Sequence, residues 1–387
     1  MAPPPIYLDH AATTPVRREV LEAMTPFFGP RFGNPSSVHR WGRDARTALD
    51  EARSRIAVCL RAQPDEIVFT SGGTEGDNLA IMGPWRTRRA QGRNAVVTSP
   101  TEHKAVLEVV HQIAREGGEE RLLQVDSAGV IRPSAYTSVL DAQVAVCSVM
   151  WINNEIGVVQ DIPGIGAHAR SVGALMHTDA VQAFGKLSID MTMLPVDLLS
   201  LSGHKIGAPK GIGAIYIRRG TPFEPLFHGG SQDRGRRPGT ENVAFAVGLA
   251  VAAEMQLAER ETECARLGAM RDALQSAILA RVPDAVVHGW SATRAPHILN
   301  LSVPGTDSES LLMALDLAGI AASGGSACQS GSVSPSHVLS AMGVSRNLAG
   351  AAVRLSVGML STDADIARVS EVFPSLVERA RRLAGAA

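Results

Sequence analysis

The alternation of short apolar runs with helical patterns is the feature that most constrains the fold of this chain. Six runs rich in β-branched residues have the length and composition of strands that are buried on both faces. Strands that alternate with helices predict an α/β fold, doubly wound around a mostly parallel sheet. The predicted strands span residues 66–70, 94–99, 143–149, 173–177, 196–201 and 212–217, and a clear helical pattern spans residues 46–60.

After about residue 242 the pattern changes to long helical stretches separated by isolated apolar runs. A chain of 387 residues is also too long for one small core. We therefore expect a large α/β domain over residues 15–255 and a smaller α+β domain formed by residues 1–14 and 256–387. The elements predicted in this second part are a helix over 242–279, a strand over 297–303, a helix over 308–317, a short strand over 320–323 and a last helix over 363–383.

Charge and composition argue against several classes of partner. The 37 basic and 38 acidic residues leave a net charge of −1, which gives no field that favours nucleic acid or an anionic membrane. No run reaches the roughly 18 apolar residues of a membrane span, and residues 1–6 lack the pattern of a leader. The four cysteines lack the paired spacing of a metal site or a disulfide scaffold. We expect a cytoplasmic protein that acts on a small molecule or a protein, with no membrane or direct nucleic-acid partner.

The chain offers only four lysine amines for covalent chemistry: Lys104, Lys186, Lys205 and Lys210. Lys205 follows the predicted strand 196–201 through a short polar turn. Ligands of α/β folds bind beyond the carboxyl ends of the strands, so this lysine is in a position where chemistry is expected. A surface lysine in a loop is the competing interpretation.

Asp179 comes at the end of another predicted strand. A carboxylate there can face the cationic ring nitrogen of a pyridoxal cofactor, whose protonated ring acts as an electron sink. An aspartate that caps a following helix is the alternative.

Residues 71–75 (SGGTE) follow the first predicted strand and open a helical pattern. Free N–H groups at a helix N-terminus bind anions, and glycines let a phosphate approach the backbone. Thr74, Ser202 and His204 could add donors to such a site. A tight strand-to-helix turn without a ligand would have the same sequence.

Three further residues are candidates for chemistry. His103 follows the strand 94–99 and could stack on a cofactor ring and exchange protons, or cap a helix. Cys328 lies among glycines and serines, unlike the other cysteines, and is the best candidate for a reactive thiol. A hydrolase pair with His337 is a minor alternative. Arg354 stands alone in an apolar run, where it would bind a substrate carboxylate or form a structural salt bridge.

Taken together, these motifs resemble the cysteine desulfurases of the fold-type I pyridoxal-phosphate family, in the class with a long cysteine loop. The resemblance covers nearly the whole chain. Its motifs are residues 7–15 (YLDHAATTP), 33–37 (GNPSS), 101–104 (TEHK), 153–157 (NNEIG), 202–205 (SGHK), 237–240 (RPGT), 325–328 (GSAC) and 354–356 (RLS).

The resemblance implies a role for each residue around pyridoxal 5'-phosphate. Lys205 would bind the cofactor covalently, His103 would stack on the ring, Asp179 would face the ring nitrogen and Gln182 would bond the phenolic oxygen. The phosphate would be held by Thr74, Ser202, His204 and, from the other subunit of a homodimer, Thr240.

The resemblance also implies a substrate and a reaction. Asn154 and Arg354 would hold the carboxylate of L-cysteine, with Asn34 as a further candidate. Cys328 would take the sulfur as a persulfide, leave alanine, and pass the sulfur to an acceptor protein such as an iron–sulfur scaffold. Two departures from the family pattern, Gly76 and Gly207, lie close to the expected cofactor.

Two other functions remain open from the residues. A selenocysteine lyase, another pyridoxal-phosphate lyase or a transaminase would keep Lys205 and Asp179 without needing Cys328. A cofactor-binding scaffold that only docks partners would need none of the catalytic residues. The joint presence of His103, Lys205, Cys328 and Arg354 argues against it.

Overall fold

The computed structural model describes residues 4–324 and 335–385. The strands in these ranges are β1 (Ile6–Tyr7), β2 (Ile67–Thr70), β3 (Ala95–Thr98), β4 (Glu119–Leu122), β5 (Val144–Ser148), β6 (Leu175–Asp179), β7 (Leu198–Ser202), β8 (Gly213–Ile217), β9 (Val286–Val287), β10 (Ile298–Ser302), β11 (Ile320–Ala321), β12 (Ser323–Gly324) and β13 (Ala352–Ser356). The helices are α1 (Arg18–Met24), α2 (Arg40–Leu60), α3 (Gly73–Arg89), α4 (Lys104–Arg115), α5 (Pro133–Val139), α6 (Ile162–Ser171), α7 (Val243–Ala258), α8 (Arg260–Arg281), α9 (Ser308–Leu317), α10 (His337–Ala341), α11 (Arg346–Gly350) and α12 (Asp363–Ala384).

The large sheet has the order β2-β8-β7-β6-β5-β3-β4. Strand β8 runs antiparallel to both of its neighbours, and the other pairs are parallel. Every residue of β5, β6 and β7 is buried, as expected for strands with apolar layers on both faces. The predicted α/β fold with a mostly parallel sheet is confirmed, and each of the six predicted strands is present. The carboxyl ends of β2, β3, β5, β6 and β7 meet at one edge of this sheet.

A second, four-stranded sheet has the order β12-β13-β10-β9 and is antiparallel throughout. Strand β1, from the start of the chain, pairs in parallel with β11, and Leu8 is buried in the same apolar cluster as Leu301 and Phe373. The N-terminal segment thus packs with the C-terminal part of the chain. This packing agrees with the proposed division into residues 15–255 and residues 1–14 with 256–387, which stays a prediction.

Local side-chain caps explain where several helices begin. The Asp307 carboxylate accepts a hydrogen bond of 2.7 Å from the Ser310 N–H and starts α9 at the predicted residue. Thr362 and Asp365 form a reciprocal capping box at the start of α12. Helix α2 ends at Arg61, which adopts a left-handed conformation with φ of 52°.

Two expectations about elements need correction. The single helix predicted over 242–279 is wrong, because the chain breaks at Glu259 into α7 and α8. The Glu259 carboxylate accepts hydrogen bonds from both terminal nitrogens of Arg17, at 2.9 and 2.7 Å, so a tertiary contact lies at the break. Strand β4 was not predicted because three of its four residues are charged, which suits an edge strand. In the described residues, no helix is both long enough and apolar enough to cross a membrane.

Candidate active site

A cavity of about 370 Å³ lies at the carboxyl edge of the large sheet. Parallel strands end at the same edge, so residues far apart in sequence meet there. One wall comes from the second sheet through β13. Nine of the residues predicted for the site line this cavity: Thr74, His103, Asn154, Asp179, Gln182, Ser202, His204, Lys205 and Arg354.

Lys205 lies in a short 3₁₀ turn that follows β7. Its Nζ donates hydrogen bonds of 2.7 Å to the carbonyl oxygens of Ala11 and Ala12. These two carbonyls belong to the segment that follows β1. The lysine amine is therefore held at the junction between the large sheet and the N-terminal segment, inside the cavity.

Asp179 is the last residue of β6 and is buried, with 6% of its surface exposed. Burial raises the pKa of this carboxyl to about 6, while the Val181 N–H, 2.8 Å from Oδ1, and the Lys205 amine act in the opposite direction. Beside it, burial and the Asp179 charge raise the pKa of Asp77 well above its usual value.

Asp77 Oδ1 has no hydrogen-bond partner among the described residues and lies 3.7 Å from His177 Nε2. This wall of the cavity thus holds two buried carboxyls, Asp77 and Asp179, and a cation that faced them would favour their ionised forms. These carboxylate acceptors fit a protonated pyridine ring, whose N–H donates.

The first turn of α3 forms another wall. Helix α3 begins at Gly73, directly after β2, and its first N–H groups have no partner within the helix. Thr74 lies in this turn and Ser202 lies at the end of β7. A Cβ at Gly73 would come within 2.8 Å of Val181 Cγ2, so the close packing of this turn requires glycine. Hydroxyl groups and backbone N–H groups around one opening fit a phosphate.

His204 and His103 are both neutral near pH 7. Burial, with the charges of Lys205 and Lys210, lowers the pKa of His204 to about 4, and its Nδ1 lies 3.1 Å from Thr13 Oγ1. Burial, Lys205 and other nearby cations lower the pKa of His103 to about 4 as well.

His103 is also the N-cap of α4, because its Nδ1 accepts a 3.1 Å hydrogen bond from the Ala105 N–H. The proton of the neutral ring is then on Nε2. The capping interpretation holds, and the same ring lines the cavity.

Arg354 lies in the middle of β13 with only 2% of its side chain exposed. One terminal nitrogen donates to Asp9 Oδ1 at 2.9 Å and the other to the Asn154 carbonyl at 2.8 Å. Its Nε has no hydrogen-bond partner among the described residues. The structural salt bridge considered for Arg354 is present, and the same guanidinium lines the cavity.

Two of the predicted residues that the structure describes, Asn34 and Thr240, do not line the cavity. Asn34 is exposed, and its Oδ1 accepts from the Ser36 N–H at 2.9 Å. Thr240 is exposed in the segment before α7. Cys328 lies outside the described residues. Their proposed roles stay predictions.

Several residues of the cavity were not predicted, notably Asp77, Glu155 and Lys104. Burial raises the pKa of Glu155 to about 7, opposed by its hydrogen bond to Ser336 and by the charge of Arg354. The signal available for Glu155 was its place in the motif of residues 153–157 (NNEIG). No pattern in the sequence marks Asp77.

The two departures from the family pattern have local explanations. Gly207 has φ of +86°, and a Cβ there would lie 2.7 Å from Arg17 Cγ, so a side chain would be strained and crowded. A Cβ at Gly76, in α3, would lie 3.0 Å from Ser200 Oγ. Both glycines allow close packing next to the cavity.

Comparison with known proteins supports the motif resemblance. The family model for class-V aminotransferases matches residues 6–369. A cysteine desulfurase named IscS from Dictyoglomus turgidum is 43% identical over 98% of this chain and 96% of its own length. The cysteine desulfurase NifS of Azotobacter vinelandii is 45% identical over 98% of this chain and 94% of its own length.

Solved structures agree with this comparison. A NifS-like protein superposes with a TM-score of 0.90 at 33% identity, over 97% of this chain and 99% of the other. DndA from Streptomyces lividans superposes with a TM-score of 0.78 at 36% identity, over 90% and 99%. The resemblance inferred from the motifs is confirmed. This chain belongs to the class-V aminotransferase family.

Proposed function

We propose that the protein is a cysteine desulfurase, which converts L-cysteine to L-alanine and carries the sulfur away as an enzyme persulfide. The observation that supports this most directly is the placement of Lys205 in a cavity that also holds Asp179, Thr74 and the buried guanidinium of Arg354. The relatives named as cysteine desulfurases support the same activity.

The cofactor is pyridoxal phosphate, in keeping with the family. Lys205 would hold it covalently, Asp179 would face its ring nitrogen, and the first turn of α3 with Ser202 and His204 would hold its phosphate. When bound there, the cofactor supplies an electron sink for the bonds at the amino carbon of the substrate. The remaining chemistry falls to side chains of this chain.

Substrate binding would use Arg354 and Asn154. The guanidinium of Arg354 is fixed by Asp9 and by the Asn154 carbonyl, which leaves Nε without a partner among the described residues. A planar cation in this position suits a carboxylate. The Nε2–H of neutral His103 and the amine of Lys205 are the groups that would move protons in the cavity.

Sulfur transfer would use Cys328. Its thiolate attacks the sulfur of the substrate, an S–S bond forms as the C–S bond breaks, and the β-carbon takes a proton to give alanine. Cysteine and the enzyme thiol thus give alanine and the enzyme persulfide without an external oxidant. A thiol on an acceptor protein, such as an iron–sulfur scaffold, would then receive the sulfur.

The proposed assembly is a cytoplasmic homodimer in which Thr240 of each subunit completes the phosphate site of the other. The exposure of Thr240 supports this role, because the side chain is available to a second copy. The three cysteines among the described residues, Cys59, Cys147 and Cys264, are free thiols, which suits a reducing compartment.

The test is product analysis with the purified holoenzyme. L-cysteine and a reducing thiol should give alanine and sulfide in equal amounts, without keto acid. In Cys328→Ser, cysteine should still change the visible spectrum of the cofactor, while alanine falls to background. The control Cys59→Ser, at a half-buried cysteine outside the cavity, should retain the parent rate.

Two results would reject the proposal. Keto acid as the main product would identify a transaminase. Alanine formation near the parent rate in Cys328→Ser would identify a lyase that needs no enzyme thiol.

A further inference from the structure

A second, smaller cavity of about 30 Å³ lies behind the candidate active site. Lys205 and Gln182 line both cavities, so they form the partition between them. The rear cavity is also lined by His10, His297 and Lys186. It therefore concentrates hydrogen-bonding side chains around a space of about the size of one or two waters.

Each of the two histidines has a ring nitrogen without a hydrogen-bond partner among the described residues. His10 Nδ1 lies 3.1 Å from the Ser356 carbonyl oxygen, which only accepts, so Nδ1 carries the proton and Nε2 is the acceptor. Burial lowers the pKa of His10, which keeps the ring neutral. Its Nε2 is buried and makes no hydrogen bond with a described residue.

His297 is oriented in the same way by Gln182. Gln182 Nε2 donates to the Ala11 carbonyl at 2.9 Å, which fixes the amide so that Oε1 faces His297 Nε2 at 3.2 Å. His297 Nε2 must then donate, and Nδ1 is left as an acceptor. Burial lowers the pKa of His297 well below its usual value, and Nδ1 is without a partner in the described part of the chain.

Two donors face the same space. The terminal nitrogens of Arg17 both donate to Glu259, and its buried Nε has no partner among the described residues. The side-chain amine of Lys186 also lines this space and makes no hydrogen bond or ion pair with the residues that the structure describes. Burial lowers the pKa of this amine, with Glu263 opposing the shift, but the amine donates hydrogen bonds in either protonation state. Glu263 itself is paired with Arg266.

We propose that the rear cavity is a built water site, in which one or two ordered waters join His10, His297, Lys186 and Arg17. A water has two donors and two acceptors, which matches the two ring lone pairs and the two cationic donors. The volume also fits, because a buried water needs about 10–15 Å³ of such space. An anion would match the two donors but would face the two lone pairs.

The water site makes His297 a positioning residue for Gln182. Water bound at Nδ1 holds the His297 ring so that its Nε2 donates to Gln182 Oε1. This bond helps to hold the Gln182 amide, which borders the candidate active-site cavity. Loss of the water or of His297 would leave the Gln182 amide held by the Ala11 carbonyl alone. This second step rests on the proposed cofactor site, whereas the water site itself does not.

The first experiment is a crystal structure of the holoenzyme, with one crystal soaked in sodium bromide. We expect water density within hydrogen-bonding distance of His10 Nε2 and His297 Nδ1, and no anomalous bromide signal there. A bromide peak would overturn the proposal in favour of an anion site. An empty cavity would overturn it as well, and neither result depends on the desulfurase activity.

The second experiment is a pH titration of the cofactor's visible absorbance in His297→Leu, Lys186→Met and the control Arg115→Met. Arg115 is exposed and lines neither cavity. We expect the titration midpoint to shift most in His297→Leu, less in Lys186→Met, which acts through water, and not in the control.

Thermal unfolding of each variant identifies a variant that has failed to fold. Folded His297→Leu with the parent midpoint would overturn the positioning role. If neither the parent nor any variant binds pyridoxal phosphate, the proposed function is rejected. The crystal structure would still decide whether the rear cavity holds water.

Discussion

The two sheets contribute side chains to the candidate active-site cavity in different ways. The large sheet contributes groups from the carboxyl ends of parallel strands, such as Asp179, and from the turns that follow them, such as Lys205. The antiparallel sheet contributes Arg354 from the middle of a strand, where Asp9 and a backbone carbonyl fix it. Under the proposed roles, cofactor binding and substrate recognition have separate structural sources, so mutations should separate them.

The largest expected effect tests the large sheet. Lys205→Ala should remove covalent attachment of the cofactor and reduce activity to background, because the other three lysines cannot replace an amine held by Ala11 and Ala12. Borohydride reduction followed by peptide mass spectrometry measures the attachment. Lys210→Ala serves as the control and should keep it. Reduced cofactor on Lys104, Lys186 or Lys210 of the parent protein would contradict this assignment.

The next effect tests the second sheet. Arg354→Met should leave the cofactor spectrum intact and raise the KM for cysteine by about 100-fold, the loss expected from one charge-assisted hydrogen bond donated by Nε. Steady-state kinetics and the visible spectrum together give the comparison.

Asp9→Asn tests how much the carboxylate beside Arg354 contributes to substrate binding. It removes the charge that orients Arg354, but keeps the guanidinium, so its effect on KM should be smaller than that of Arg354→Met. Loss of cofactor in Arg354→Met would show that the two sheets are not separable.

Thr240 belongs to neither sheet in the single chain. If it reaches the phosphate of a second subunit, Thr240→Ala should weaken cofactor binding by about 1–3 kcal/mol, or about 5- to 150-fold in Kd. Equilibrium dialysis measures this value, and light scattering gives the oligomeric state. Thr262→Ala, on the exposed side of α8, should have no effect. A fully active monomer would rule out this role.

The smallest expected effect is on stability. The pKa of Asp179 is raised from 3.8 to about 6, so the folded protein binds this proton more tightly than the unfolded chain. The stabilising contribution is present below pH 3.8 and is lost as the pH rises through 6, at no more than about 1.4 kcal/mol per pH unit.

Cofactor-free Asp179→Asn should therefore gain free energy of unfolding relative to the parent as the pH rises from 4 to 6. Urea unfolding at each pH measures the difference. A constant difference would show that Asp179 does not titrate in this range.

Much of the fold could be predicted because strand and helix periods are local properties. The six strands of the large sheet and helix 308–317 were expected within a few residues of their positions. The break at Glu259 could not be predicted, because it coincides with a contact to Arg17 from the other end of the chain. Strand β4 pairs at an edge, where its charged residues hide the usual pattern.

The candidate site shows the same limit. Residues at the ends of predicted strands, such as Asp179 and Lys205, could be placed from the sequence because parallel strands end together. The carbonyls of Ala11 and Ala12 could not, since backbone groups leave no mark in a sequence. The rear cavity could not be predicted either, because the side chains that line it come from different elements and meet only in the folded chain.

The pairing of β1 with β11 has a consequence for biosynthesis. Ile6 leaves the ribosome early, but its partner Ile320 is made only after most of the chain has been translated. The segment that follows β1 supplies the carbonyls that hold Lys205, so this lysine reaches its final surroundings late. Nascent chains truncated before Ile320 would lack that anchor. We therefore expect the cofactor to load onto the completed chain and not onto the growing one.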